Sequence, residues 1–229
     1  VFLCHKYVHS VIFAGSNTHL KQVNQLMNNT YDSLVQQTFN FPQEDFKLKN
    51  DYLQYNDVDI KALIDKHGTP LKLTYLPKIG MQINKAKKMF AAAFKKHKYE
   101  GEYHYCYCTK SSHFSFIIEE TLKHNAHIET SYAYDIDIIN SLYKKRKINK
   151  DIHIVCNGLN QKNYTSRIAK LINDGFKNVI PVLDNKEELN MYKRNIRTGE
   201  PFKLGIRIAA EEEPSFPFYT SRLGIKAKD

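Results

Sequence analysis

Long apolar runs, paired cysteines and glycine-rich loops are absent from this chain of 229 residues. No apolar run approaches the roughly 18 residues that a membrane-spanning helix needs, and the early run at residues 11–14 is too short for the core of a signal peptide. We therefore expect a soluble protein located in the cytoplasm. No G-x-G-x-x-G or G-x-x-x-x-G-K loop occurs, so the sequence gives no sign of the common nucleotide-binding motifs.

The four cysteines, Cys4, Cys106, Cys108 and Cys156, form no C-x-x-C pair. Three of them fall inside predicted strands, so we interpret them as small buried hydrophobic residues of a protein in a reducing compartment. Ten histidines are present, but no H-E-x-x-H or C-x-x-C spacing marks a set of zinc ligands. The sequence therefore predicts no metal site.

The formal charge of +10 raises the question of nucleic-acid binding. The basic residues are mostly lysines and are scattered over several predicted helices, whereas a nucleic-acid footprint is a stripe on one face. Neither nucleic acid nor a membrane is an expected partner. An apolar fraction of 42% and an aromatic fraction of 12% exclude a disordered chain, and this length can bury one large core.

The most informative stretch is residues 103–109, which is aromatic and β-branched with two cysteines. It reads as a strand buried on both faces, and Lys110 stands at its carboxyl end. Ser111 or Ser112 can then cap a helix over residues 113–123. Lys110 has two interpretations: its long side chain reaches solvent, or it is partly desolvated and forms a Schiff base with a carbonyl compound.

From residue 103 onward the chain repeats a strand followed by a helix. Such spacing indicates a parallel sheet with right-handed crossovers, which a doubly wound sheet and a barrel both satisfy. We favour a partial TIM-type (β/α)8 barrel, with five of its eight strands or six if residues 71–76 are included, because polar residues follow successive strands. Strands are predicted to begin, at intervals of 23 to 27 residues, near Tyr103, His127, Ile152, Val179 and Phe202. The helices after them are predicted over residues 113–123, 133–146, 164–173 and 186–195.

Three segments make up the predicted organisation. Residues 1–26 show no clear periodicity and are expected to be an extension outside the fold, with a short amphipathic segment packed on the domain as the alternative. Residues 27–70 form an amino-terminal segment, and residues 71–229 form the incomplete barrel. The elements predicted before the repeat are a helix over 28–38, a hairpin over 46–55, a helix over 60–67 opened by Asp57 or Asp59 and closed by Gly68, a strand over 71–76 and a helix over 79–98.

Polar residues stand near the ends of the other predicted strands. Glu129 and Arg207 each lie alone in an apolar strand, where burial is costly unless the charge is paired. They are either site residues or a structural ion pair. Asn157 and Asp184 follow two further strands and are interpreted as turn formers or helix caps, since Asn and Asp are favoured there.

Six blocks of the sequence, in this order along the chain, resemble the barrel domain of biosynthetic arginine decarboxylase. That family belongs to the alanine-racemase-like class of pyridoxal-phosphate enzymes, and the resemblance runs from about Thr30 to the last residue. The blocks are residues 105–112 (YCYCTKSS), 127–136 (HIETSYAYDI), 155–158 (VCNG), 179–185 (VIPVLDN), 205–209 (GIRIA) and 220–224 (TSRLG).

This resemblance implies a cofactor, a reaction and roles for three residues. Lys110 corresponds to the lysine that holds pyridoxal 5'-phosphate as a Schiff base, and Glu129 and Arg207 stand beside the cofactor ring. The implied reaction is the decarboxylation of L-arginine to agmatine and CO2 in polyamine biosynthesis. The implied assembly is a homo-oligomer when the protein is full length.

The chain departs from the family in two ways. Cys108 and Thr109 precede Lys110 where relatives carry Val or Ala. The glycine-rich phosphate loops, the histidine that stacks on the cofactor and the carboxyl-terminal β-domain are expected after Asp229. We therefore expect these 229 residues alone to bind the cofactor weakly at most and to decarboxylate nothing measurable. The alternatives are a non-catalytic interaction module and a decarboxylase of ornithine or diaminopimelate.

Overall fold

The computed structural model describes residues 45–50, 52–158, 162–209 and 224–225, together with the backbone of residues 2–5. The chain divides into two compact units, Val1–Tyr75 and Leu76–Asp229. No helix among the described residues is both long and apolar enough to cross a bilayer.

Among its described residues, the first unit contains short antiparallel strands and one helix. Strands β2, β3 and β4 form one sheet in that order, and β1 pairs with β5 in another. The elements are β1 (Phe2–His5), β2 (Phe46–Lys49), β3 (Tyr52–Tyr55), β4 (Val58–Asp59), α1 (Ile60–His67) and β5 (Lys72–Tyr75).

The predicted hairpin and helix of this unit are confirmed. Strands β2 and β3 pair from Phe46 with Tyr55 to Lys49 with Tyr52. The Asp59 side chain accepts a hydrogen bond from the backbone N–H of Ala62, so Asp59 is the residue that caps α1, and Gly68 ends the helix with φ of 76°.

Two predictions for the amino-terminal part involve residues outside the described ranges. The helix over 28–38 lies wholly outside them. Of the predicted extension 1–26, only Phe2–His5 is described, and it pairs antiparallel with Lys72–Tyr75. The prediction for that segment as a whole therefore stays a prediction.

The second unit alternates helices and parallel strands. In the described part of this unit, each of the first four strands is followed by a helix, and a single turn of 3-10 helix (Thr109–Ser111) follows β6. The elements are α2 (Leu76–His97), β6 (Cys106–Cys108), α3 (Ser115–Lys123), β7 (His127–Thr130), α4 (Ala133–Lys144), β8 (His153–Cys156), α5 (Lys162–Asn173), β9 (Asn178–Leu183), α6 (Lys186–Asn195) and β10 (Gly205–Ile206).

The five strands of this unit form one parallel sheet in the order β10, β9, β8, β7, β6. Neighbouring strands in the sheet are therefore also consecutive in the sequence, without the reversal of strand order that defines a doubly wound sheet. Beyond β10, Ile208 forms a single parallel bridge with Ile225. Within the described residues the sheet is open, with β6 at one edge, so a closed barrel is not shown.

The two faces of the sheet differ in burial. In β7, β8 and β9 every second residue is buried, and the residues between them are only half-buried. The buried set, which includes Ile128, Ile154 and Val179, forms one core with side chains from α3 to α6 such as Ile139 and Ile168. The helices therefore cover one face, and Glu129, Val155 and Ile180 lie on the other, which we call the open face.

The predicted repeat agrees closely with the observed elements, but three details were wrong. Strand β6 has three residues rather than seven and is only half-buried, because it is an edge strand whose partner β7 begins opposite Cys106. Helix α3 begins at Ser115, since the chain first makes the 3-10 turn. Residues 72–75 form a strand outside the parallel sheet, because they pair with β1 instead.

A matched pair of substitutions in β8 tests the difference between the faces. Ile154 is fully buried, so Ile154→Ala is expected to lower the free energy of unfolding by about 3 kcal/mol. Val155→Ala, on the open face, should cost less than about 1 kcal/mol. Urea denaturation followed by circular dichroism measures both. Equal losses for the two variants would show that both faces are packed alike.

Candidate functional site

Lys110 lies in the single 3-10 turn at the carboxyl end of β6. The residue two before it, Cys108, is paired in register with Glu129 on β7. Lys110 is exposed, and none of the described side chains or carbonyl groups forms a hydrogen bond with its amine. Its amine is therefore accessible at the edge of the sheet where α/β proteins commonly place ligands.

A buried carboxylate holds the turn that carries Lys110. Asp135, in the first turn of α4, is 1% exposed. Its Oδ2 accepts hydrogen bonds from the backbone N–H groups of Ser131 at 2.7 Å and Tyr132 at 3.1 Å, and lies 2.9 Å from the hydroxyl of Thr109. His113 Nε2 lies 2.9 Å from its other oxygen. Asp135 thus fastens the segment around Lys110 to the junction of β7 and α4.

Glu129 projects from the open face of β7, where it is half-buried. The side-chain amide of Asn157, just after β8, donates a hydrogen bond of 3.1 Å to Glu129 Oε1. Asn157 was interpreted as a turn former, but its amide orients the carboxylate. Gly158 follows, and a side chain there would collide with the backbone of Ser131 at 2.0 Å, so the two strand ends are packed tightly.

Arg207 follows β10, where its backbone N–H donates to the carbonyl of Leu183. Its guanidinium lies 3.9 Å from Asp184 Oδ1, a buried oxygen that accepts no hydrogen bond from the described residues. The cap of α6 is Asn185 rather than Asp184, since the Asn185 side chain accepts from the N–H of Glu188. Buried Glu188 accepts in turn from the N–H of Asp184 at 2.8 Å.

The three predicted site residues thus all lie near the carboxyl edge of one parallel sheet, but not equally close together. Lys110 and Glu129 belong to adjacent strands. Arg207 follows β10, at the far side of β8 and β9. With strands about 4.8 Å apart, the three steps from β7 to β10 amount to roughly 14 Å along the sheet. The contact of Arg207 and Lys110 with one shared ligand therefore stays a prediction. The described contacts do not include an ion pair between Glu129 and Arg207, since Glu129 contacts Asn157 and Arg207 lies near Asp184.

The thiol of Cys106 shares the open face with Glu129. Burial, helped by the charge of Glu129, raises the pKa of Cys106 to about 11. A thiol with so high a pKa is protonated at neutral pH and is a poor nucleophile. Cys156 lies in the core, where burial raises its pKa to about 12. Cys156 is thus a packing residue, as the sequence indicates, whereas Cys106 is only half-buried.

Sequence reasoning missed Thr109, His113 and Asp135. One signal was available for Asp135, because an acidic residue in the first turn of a helix that directly follows a strand is placed to bind the free N–H groups of the helix start. The contacts of Asp135 with Thr109 and His113 span 26 and 22 residues, and no local pattern predicts them.

Comparisons with protein-family models and with curated protein sequences found no match. Among solved structures, the fold is similar to that of the biosynthetic arginine decarboxylase SpeA from Campylobacter jejuni, with a TM-score of 0.54 and 17% sequence identity. The similarity covers 72% of this chain and 29% of the decarboxylase chain. At this identity the likeness establishes a shared fold.

Asp135 and its neighbour in sequence offer a matched test of the buried carboxylate. Asp135→Asn replaces one accepting oxygen with a donor that faces other donors, so we expect the free energy of unfolding to fall by about 2–4 kcal/mol. Asp137, on the same helix, is 57% exposed and pairs with Arg167, so Asp137→Asn should cost at most about 1 kcal/mol. Urea unfolding measures both. A loss for Asp135→Asn no larger than that for Asp137→Asn would contradict the role of Asp135.

Proposed function

We propose that this chain is part of a pyridoxal-phosphate-dependent decarboxylase of basic amino acids, with L-arginine as its substrate. The observation that carries the proposal is the placement of an accessible lysine, Lys110, beside Glu129 at the carboxyl edge of a parallel sheet whose fold is similar to that of an arginine decarboxylase. The order of the sequence blocks that resemble this family supports it.

The sheet topology supports a barrel for the same protein. The strands follow one another in space as in sequence, and helices α3 to α6 share a core with one face only. The parallel bridge between Ile208 and Ile225 continues the same order past β10. A sheet wound in one direction with helices on one face has the organisation of a (β/α)8 barrel, so we propose that the second unit, residues 76–229, is the first part of one.

The residues at the carboxyl edge fit the attachment of pyridoxal phosphate. Lys110 offers an amine with no competing hydrogen bond from the described residues, and Asp135 fixes the turn that bears it. Glu129, oriented by Asn157, supplies a carboxylate next to that lysine for a protonated group on the cofactor or substrate. The unsatisfied oxygen of Asp184 near Arg207 is a polar group suited to a further ligand contact.

These residues have distinct roles in the proposed reaction. When bound, the cofactor supplies an electron sink for the charge left after loss of the carboxylate. Lys110 would hold the cofactor through its amine, which can form a Schiff base with a carbonyl compound. Arg207 would contribute positive charge to the binding of the cofactor. The chain spans 29% of the solved decarboxylase, so the phosphate cradle, the groups that select arginine and a homo-oligomeric assembly belong to this proposal as features of the whole enzyme.

Reductive labelling tests the attachment point. The 229-residue chain is mixed with pyridoxal phosphate, reduced with borohydride and digested, and mass spectrometry locates the modified lysines. Lys110 is expected to be modified at the lowest cofactor concentration, and Lys110→Ala should remove that labelling. Lys144→Ala, which removes an exposed lysine at the end of α4, should leave the labelling of Lys110 unchanged. Labelling spread evenly over the exposed lysines would overturn the assignment and favour a non-catalytic interaction module.

Release of CO2 tests the reaction and the need for the rest of the enzyme. The protein expressed with all the residues that its gene encodes should release labelled CO2 from carboxyl-labelled arginine, faster than from ornithine or diaminopimelate, and Lys110→Ala should abolish the release. The 229-residue chain alone should release none that can be measured. CO2 release by the short chain that disappears with Lys110→Ala would show that these residues already contain a complete site.

A further inference from the structure

We propose that His104, His127 and His153 form a binding site for a divalent transition metal ion, with Zn²⁺ as the expected ion. One ring nitrogen of each histidine lies within 4.8 Å of the others. This group lies apart from the proposed cofactor site, and the inference does not depend on the proposed function.

The three histidines lie at the amino edge of the parallel sheet. His127 and His153 are the first residues of β7 and β8, and His104 precedes β6 by two residues. Lys110 follows β6 at the opposite edge. Because parallel strands start at the same edge, the fold brings together three residues that are 23 and 26 positions apart. The sequence predicted no metal site because motif spacing reports only ligands that are close in sequence.

The distances between the rings approach those of a metal site. His104 Nδ1 and His127 Nε2 are 3.3 Å apart. A tetrahedral zinc ion with bonds of about 2.1 Å holds its ligand atoms about 3.4 Å apart, so these two nitrogens already have the required separation. The ligand nitrogens of all three histidines lie within 4.8 Å of one another, and the His104 side chain is 36% exposed and stacks on His153 with ring centroids 4.1 Å apart.

The hydrogen bonds of the cluster decide which nitrogens a metal would use. His127 Nδ1 accepts a hydrogen bond of 3.1 Å from the backbone N–H of His153, so the neutral ring carries its proton on Nε2, which is hydrogen-bonded to His104 Nδ1 at 3.3 Å. A metal ion bound between these two nitrogens would replace that hydrogen bond and move the proton of His127 to Nδ1. His153 Nδ1 is buried and has no hydrogen-bond partner among the described residues. A buried nitrogen without a partner is costly in a folded protein, and a metal ion would satisfy it.

Of the charged residues around the three histidines, one favours a bound cation and one opposes it. Glu102 lies 3.2 Å from His104 Nε2, the arrangement in which a carboxylate orients a metal-binding imidazole. The positive charge of Lys203 acts on His153 and would oppose a bound cation. Lys203 Nζ is held by Asn178 Oδ1 at 3.1 Å.

The ligand set indicates the kind of metal. Neutral imidazoles suit Zn²⁺, Cu²⁺ and Ni²⁺, whereas Mg²⁺ and Ca²⁺ prefer oxygen. Three protein ligands leave one position of a tetrahedral ion for water, and the exposure of His104 gives solvent access to it.

The test is titration of the 229-residue chain, without a histidine tag, with ZnCl2 in a calorimeter and with CoCl2 in a spectrophotometer. One Zn²⁺ should bind per chain, and Co²⁺ should give the visible bands of a tetrahedral site. His127→Ala should weaken Zn²⁺ binding by about 100-fold or more, since even outer partners of metal ligands contribute 10–100-fold. His104 lies outside the strands, so His104→Gln should lower affinity without disturbing the fold.

Three variants separate a metal site from a purely structural cluster. Glu102→Gln should weaken Zn²⁺ binding about tenfold, and Lys203→Gln should strengthen it. His97→Gln, at the exposed end of α2, should have no effect. Absence of Zn²⁺ binding by the folded chain, binding unchanged by His104→Gln, or a thiolate-to-cobalt charge-transfer band from the cysteines would each overturn the proposal.

Discussion

The proposed site depends most on the hydrogen bonds made by the carboxylate of Asp135. It is 1% exposed, and three segments converge on it: the turn after β6 through Thr109, the loop before α3 through His113, and the start of α4 through two backbone N–H groups. Hydrogen bonds to a charged acceptor are stronger than those between neutral groups, and a buried charge without them would be unstable. The fold can therefore bury this charge only if the turn bearing Lys110 stays in place.

A second buried carboxylate at the start of a helix lies further along the carboxyl edge of the sheet. Buried Glu188, in the first turn of α6, accepts from the N–H of Asp184 and from the side chain of Asn185. In both cases a helix start leaves unpaired N–H groups next to a strand end, and an acidic residue of that helix satisfies them. The carboxyl edge is thus held by hydrogen bonds to a buried carboxylate after β7 and after β9. Glu129 extends from the first of these two strands.

Local sequence patterns predicted the elements whose bounds depend on residues close in sequence. Helix α6 was predicted at its observed bounds, α4 and α5 to within two residues, and the hairpin of the first unit at its observed residues, because periodicity and turn residues act within a few positions. Strand β6 was predicted too long, since its length depends on where β7 begins. The contacts of Asp135 and the convergence of three histidines span more than twenty residues, so only the folded sheet reveals them.

The open face of the sheet joins the two proposed sites without making them interdependent. Its residues alternate with those of the core and are only half-buried, from His127 and His153 at the amino edge to Glu129 near the carboxyl edge. A metal ion on the histidines would fasten the starts of β6, β7 and β8, just as Asp135 fastens the turn where β6 ends. The histidines lie at the starts of β6, β7 and β8, whereas Asp135 contacts the turn after β6 and the junction of β7 and α4, so the two edges are stabilised through different atoms. Loss of one set of contacts therefore leaves the geometry of the other in place, so long as the common core of Ile128, Ile154 and Val179 stays packed.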